Sequence, residues 1–169
     1  MTAHQRLRVT DGITPIALAL LSAALLVVSL PSPDIGWLGW GALVPILLAI
    51  QGLSPGRAAA LGLLTGVLAS FGMYGWLFEV PSFDLRHAVL LALYVGAYPA
   101  IWASATSWAL RRDIPLLLCA PVLWLLIDYL RGHAGFLALP WGTLAQTQHR
   151  NLALLQTASV VGEHGVTFL

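Results

Sequence analysis

Four stretches of this chain run for about the width of a bilayer without a charged residue. Asp11, Asp34 and Arg57 are separated by uncharged runs of 22 residues each, Arg57 and Glu79 by 21, and Arg86 and Arg111 by 24. A helix rises about 1.5 Å per residue, so roughly 20 apolar residues cross a hydrocarbon core of about 30 Å. The pattern predicts spans over residues 13–30, 35–53, 58–78 and 88–110, with a shorter fifth over 114–130 that meets Asp128 before its end. Pro31 and Pro33 close the first, because proline cannot continue a helix comfortably.

Beyond Leu130 the texture changes. Residues 131–150 mix glycines, two histidines, glutamines and Pro140-Trp141 within apolar sequence, which fits a segment dipping into one interface. Non-helical backbone at that depth survives only against protein or a wet cavity. Residues 152–169 turn apolar again, interrupted by Glu163 and His164, and the sequence stops inside an apparent sixth span. The expected fold class is therefore all-α: a polytopic transmembrane helix bundle of five spans plus the start of a sixth, one truncated N-terminal transmembrane domain over residues 1–169.

Composition agrees. The chain is 59% hydrophobic and 9% charged, where a soluble domain carries about 25% charged residues. Its mean hydropathy is +0.84. A net charge of +1 argues against a nucleic-acid partner. All eight cations are arginines. With the N-terminus cytoplasmic, Arg6, Arg8, Arg57, Arg111 and Arg112 lie inside, and Arg86, Arg131 and Arg150 outside, the sense expected of retained positive charge. Trp37, Trp40, Tyr74 and Trp76 then fall at outer ends of spans and Trp108 at an inner end, as interfacial anchors. Residues 13–30 are longer than a signal-peptide core of about 7–15 residues, and no small-x-small cleavage site follows, so a retained span is expected.

Gly62, Gly66 and Ser70, four residues apart, make a flat face on the third span where another backbone can approach, expected to serve packing within the bundle. Asp128 and Arg131 share one helix face. They read either as an interfacial ion pair ending the span or as a polar anchor at a lipid-headgroup site. Glu163 and His164 read either as a polar contact within the bundle or as caps of a helix that enters the membrane at Val166. Cys119 lies in an apolar run with no cation nearby, a poor environment for a nucleophile. His4, His87, His133 and His149 lack metal-ligand spacing, and no nucleophile elbow or phosphate loop is present, so neither metal nor cofactor is expected.

Several motifs, in order, resemble a known family. They are Gly36-Trp37-Leu38-Gly39-Trp40 with Leu43-Val44-Pro45, the glycine-rich third span ending at Trp76, and Ala120-Pro121-Val122-Leu123-Trp124-Leu125-Leu126-Ile127-Asp128-Tyr129-Leu130-Arg131-Gly132. Pro140-Trp141, Gln148, Asn151-Leu152, Gln156 and Gly162-Glu163-His164-Gly165-Val166-Thr167-Phe168-Leu169 follow. Together they resemble the apolipoprotein N-acyltransferases of bacterial inner membranes. Asp128 stands where that family usually has Glu, Ala138-Leu139 where Gly-Phe is common, and His164 where an aromatic residue is frequent.

The resemblance implies an enzyme that moves an acyl chain from a phospholipid onto the α-amino group of a lipoprotein's N-terminal diacylglyceryl-cysteine, by a ping-pong route through a cysteine thioester. It places the chemistry in a periplasmic nitrilase-like domain, inserted after the seventh of eight spans, with a Glu-Lys-Cys triad. This chain has no lysine, and Cys119 matches no catalytic position, so no catalytic residue is expected within it and no activity of the chain alone. The resemblance leaves a bundle that anchors the missing domain and shapes a lipid entry, with Pro140, Trp141, Gln148 and Glu163 as candidate lipid contacts and Asp128–Arg131 as a structural polar pair. The expected partners are a phospholipid acyl donor, a lipoprotein substrate and the membrane. The alternative from another class is a small multi-span carrier or scaffold. Carriers place ionisable residues at mid-span, and the first four spans have none.

Overall fold

A computed structural model of the chain describes residues 14–31 and 33–169. Arg6, Arg8 and Asp11, on which the expected orientation partly rests, lie outside the described residues, as does His4. The described residues form helices and no strand: α1 (Pro15–Ser29), a 3₁₀ turn (Gly36–Gly41), α2 (Val44–Ile50), α3 (Pro55–Met73), a second 3₁₀ turn (Gly75–Glu79), α4 (Leu85–Leu110) and α5 (Leu116–Gly132). Two short 3₁₀ turns (Gly135–Leu137, Ala145–Gln148) then lead to α6 (Leu152–Phe168). We call the end of the bundle that carries Asp34, Tyr74 and Gly132 the upper end.

Two helices, α3 and α4, are long and apolar enough to cross a membrane. α1 and α2 are shorter than expected, for local reasons. Thr14 caps α1, its hydroxyl accepting from Ala17 N at 3.3 Å, with Pro15 at the helix start, where its missing N–H costs nothing. The second expected span is not one helix. It is a 3₁₀ turn and a seven-residue helix that joins it around Ala42–Leu43. Pro45 begins that helix, and the free first-turn N–H of Ile46 donates to Ser22 Oγ of α1 at 2.9 Å. The third ends at Met73 rather than 78, and α4 starts at Leu85, where the Asp84 carboxylate accepts from Arg86 N (2.9 Å) and His87 N (3.2 Å). Those backbone donors, His87 N first, hold the Asp84 carboxyl below its usual range.

The helices meet through small residues. A Cβ on Gly66 would lie 2.7 Å from Gly96 Cα of α4, and one on Gly62 would strike the Pro99 carbonyl, so the flat face of α3 is filled by α4 of the same chain. Thr65 Oγ1 donates to Ala19 O of α1 (3.2 Å), Ser107 Oγ to Leu53 O (2.7 Å) and Trp102 Nε1 to Ala120 O of α5 (2.9 Å). The core over Ala19, Ile46, Ala58, Trp102, Ala103 and Ala120 is made largely of alanines, while Ser22, Thr65, Thr106 and Ser107 are buried beside it. Large apolar side chains such as Leu20, Leu90, Leu117 and Leu126 point outward instead.

Candidate functional site

Tyr74, Tyr94, Tyr98, Asp128 and Arg131 lie toward the upper end of the bundle, near residues 133–151. That segment is tied down backbone group by backbone group. Leu139 N donates to Arg131 O at 3.0 Å. The Tyr94 hydroxyl donates to Leu137 O, so the Tyr98 hydroxyl, 2.8 Å from it, must donate to Tyr94. The Tyr74 hydroxyl donates to Trp141 O at 2.8 Å. Gln146 closes the turn from the other side: its Oε1 accepts from Gly142 N (2.8 Å), and its Nε2 donates to Pro140 O (3.1 Å). Gly142 has φ +73°, and a Cβ there would sit 3.0 Å from Tyr74 Oη, so conformation and space both require glycine. The result presents Trp141, half exposed, edge-on to Trp76 at 6.1 Å.

Gln148 is differently placed. It is buried, and its amide is engaged on both sides: Nε2 donates to Gly36 O (2.8 Å) and Thr147 Oγ1 (2.9 Å), and Oε1 accepts from Trp40 Nε1 (3.1 Å). It therefore brackets the loop to the Gly36–Gly41 turn. Arg150 pairs with Asp34 beside it, and His149 Nε2 lies 3.5 Å from the same carboxylate.

Asp128 and Arg131 form a buried pair at 2.7 Å, with side chains 4% and 8% exposed. The pair sits in the last turn of α5, which ends at Gly132, where both readings open from sequence place it, and the loop that follows is bonded back to it through Leu139 N and Arg131 O. Glu163 follows Gly162, whose φ of +68° breaks α6. Its Oε1 accepts from Thr143 Oγ1. Before the break, residues 152–161 are mostly exposed; after it, His164 rests on Tyr129 (5.2 Å), and Val166 and Thr167 are buried. Glu163 and His164 thus lie where the helix turns in along α5, with Glu163 in a polar contact with Thr143. That inward half and α2 border a groove of about 180 Å³, with Leu43, Leu47, Pro121 and Phe168 on its walls and Gln148 at its rim.

Sequence reasoning named Pro140, Trp141, Gln148 and Glu163, and the structure brings Pro140 and Trp141 into one turn. Glu163 joins them through Thr143, next to Gly142. It missed Gln146, Tyr94 and Tyr98, whose only signal was a polar atom in apolar surroundings, and it read Tyr74 as an interfacial anchor rather than as a bond to the loop. Among the described residues no serine, threonine or cysteine is hydrogen-bonded to a histidine, and no three potential metal ligands cluster. Cys119 is buried, its Sγ 3.8 Å from Leu116 O.

Residues 22–169 match the family model described as the apolipoprotein N-acyltransferase N-terminal domain. The chain is 36% identical over 162 residues to the apolipoprotein N-acyltransferase of Geobacter metallireducens, covering 90% of this chain and 30% of that protein. It is 32% identical over 165 residues to apolipoprotein N-acyltransferase 2 of Treponema pallidum, with 92% and 29% covered, and 32% identical over 148 residues to the enzyme so named in Gloeobacter violaceus, with 79% and 28% covered. The chain thus spans less than a third of the length of these curated relatives.

Proposed function

This chain belongs to the apolipoprotein N-acyltransferase family, aligning with its N-terminal domain, and on that premise we propose that it is the membrane-embedded N-terminal part of such an enzyme. The whole protein would transfer an acyl chain from a phospholipid to the N-terminal diacylglyceryl-cysteine of a lipoprotein, at the bacterial inner membrane. This part would anchor the protein and shape the lipid's approach, while a Glu-Lys-Cys triad outside these 169 residues does the chemistry.

One observation carries the reading. Within the family-matched residues many large apolar side chains point outward, while the interior, besides a few such as Ile46, Ile50 and Trp102, is made mostly of alanine, serine and threonine. Lipid removes the drive to bury leucine, so membrane helices associate through small residues and hydroxyl bonds instead. In the proposed topology α1, the Gly36–Ile50 pair, α3, α4 and α5 cross the bilayer, residues 163–168 start a sixth crossing, and the N-terminus is cytoplasmic. Fifteen residues of α1 rise only about 22 Å, so its crossing is completed by flanking residues and local thinning. Pro140, Trp141 and Glu163 would line the lipid-facing mouth, with Gln148 holding its floor.

Two experiments test this. Single cysteines placed at Ser54, Ser82 and Asp113, with Cys119 replaced by serine, are probed with an impermeant maleimide from the periplasmic side. Labelling of position 82 alone is expected, and labelling of 54 or 113 would overturn the topology. The purified chain should transfer no acyl group to a diacylated lipopeptide; an N-acylated product would refute the division of labour.

A further inference from the structure

Beneath the turn at Gly142, α1, α3, α4 and α5 line a partly enclosed cavity of about 40 Å³, with Met73, Val95, Tyr98, Trp124, Asp128 and Arg131 among its walls. Asp128 is 5% exposed. Its Oδ1 takes the Arg131 Nη2 bond, while its Oδ2 is fully buried and has no partner among the described residues. Trp124 Nε1 is buried and unpartnered in the same sense. The two residues are four apart on α5 and so share one face. One is an acceptor, the other a donor. A third group on the wall has capacity left: the Tyr98 hydroxyl spends its proton on Tyr94, so its lone pairs stay free to accept.

Leaving such groups bare in a dry interior is costly, and a buried carboxylate needs its remaining lone pairs satisfied for its ion pair to repay desolvation. The volume decides what can satisfy them. A cavity needs at least about 10–15 Å³ of this kind of space to hold a water, so 40 Å³ takes one to three waters and excludes a phosphate or ammonium headgroup.

We propose that this cavity is a buried water site. A water accepts from Trp124 Nε1 and donates one hydrogen to Asp128 Oδ2 and the other to Tyr98 Oη, the three bonds typical of an internal water. The Asp128–Arg131 pair is then an internally hydrated pair within the bundle, independent of any lipid bound at the mouth.

The sign of a cavity-filling effect tests this. Val95→Ile in the full chain adds a methylene to the wall. If the cavity holds water, displacing it lowers the melting temperature by about 2–4 °C. Overpacking a dry wall lowers it as well, so a fall supports the site only together with the indole signal of the unmutated chain. An unchanged or raised melting temperature overturns the proposal. Should that variant not fold, the unmutated chain in nanodiscs decides. An exchange cross-peak with water at the Trp124 indole N–H, assigned by its loss in Trp124→Phe, is expected, and its absence refutes the site.

Discussion

Between α3 and α4 almost nothing polar crosses the interface, and glycine against glycine sets the distance; at the upper end, by contrast, a run of backbone groups from Leu137 to Gly142 is bonded to tyrosines, a glutamine or an arginine carbonyl. The first contact relies on shape and tolerates no added atom. The second relies on named partners and fails one bond at a time. In the membrane setting proposed above, a bundle gains little by burying leucine, so its walls are made by close approach. There an irregular segment must carry its own hydrogen-bond satisfaction, because neither helix ladder nor water supplies it.

Substitutions at the two places should therefore fail differently. Gly66→Val should be the most damaging, forcing α3 from α4 at a cost of about 3 kcal/mol or more. Gly56→Ala, where an added Cβ meets nothing, should gain about 0.5–1 kcal/mol; thermal unfolding in detergent compares the two. Arg131→Met should cost about 3–5 kcal/mol by leaving Asp128 buried and unpaired, and the double variant Asp128→Leu/Arg131→Met should recover most of that loss in the same assay. If the double variant is no better than the single one, the pair does more than satisfy itself.

Gln146→Ala should cost about 1–3 kcal/mol by freeing Gly142 N and Pro140 O. Amide exchange should rise in residues 140–148 and leave α3 unaffected, whereas Gly66→Val should raise exchange throughout. The smallest effect concerns pH. The Asp84 carboxyl lies below its usual 3.8 in the folded chain, so its capping of α4 is fully present above pH 3.8 and is lost as pH falls through the lowered value. First-turn exchange of α4, corrected for the intrinsic rate, should rise only at such acid pH, and Asp84→Asn should abolish the dependence.

The charge-free runs located the apolar helices because long gaps between charges survive any detail of packing. They overestimated helix length at residues 35–53 and 58–78, since proline and glycine can break or tighten a helix without interrupting its hydrophobicity. Asp128 and Arg131 were legible as a pair from their spacing; their burial was not, because it depends on a loop that folds back from residues 133–151. Gln148 was named for a lipid role, yet its amide is bound to Gly36 and Trp40, more than a hundred residues earlier in the chain.

The sequence by itself determined what is written in short-range pattern: an all-helical apolar chain, a face on α3 bare enough for another backbone, and motifs that resemble one family. Tertiary structure alone decided which groups are used up and which remain available. Tyr74, Tyr94 and Gln146 became the clamps of the upper loop, Gly162 became a break, and Asp128 kept one buried oxygen without a donor among the described residues. The reason is range. Periodicity and capping act within a few residues, whereas a buried polar atom is satisfied by whatever the fold brings within about 3 Å of it.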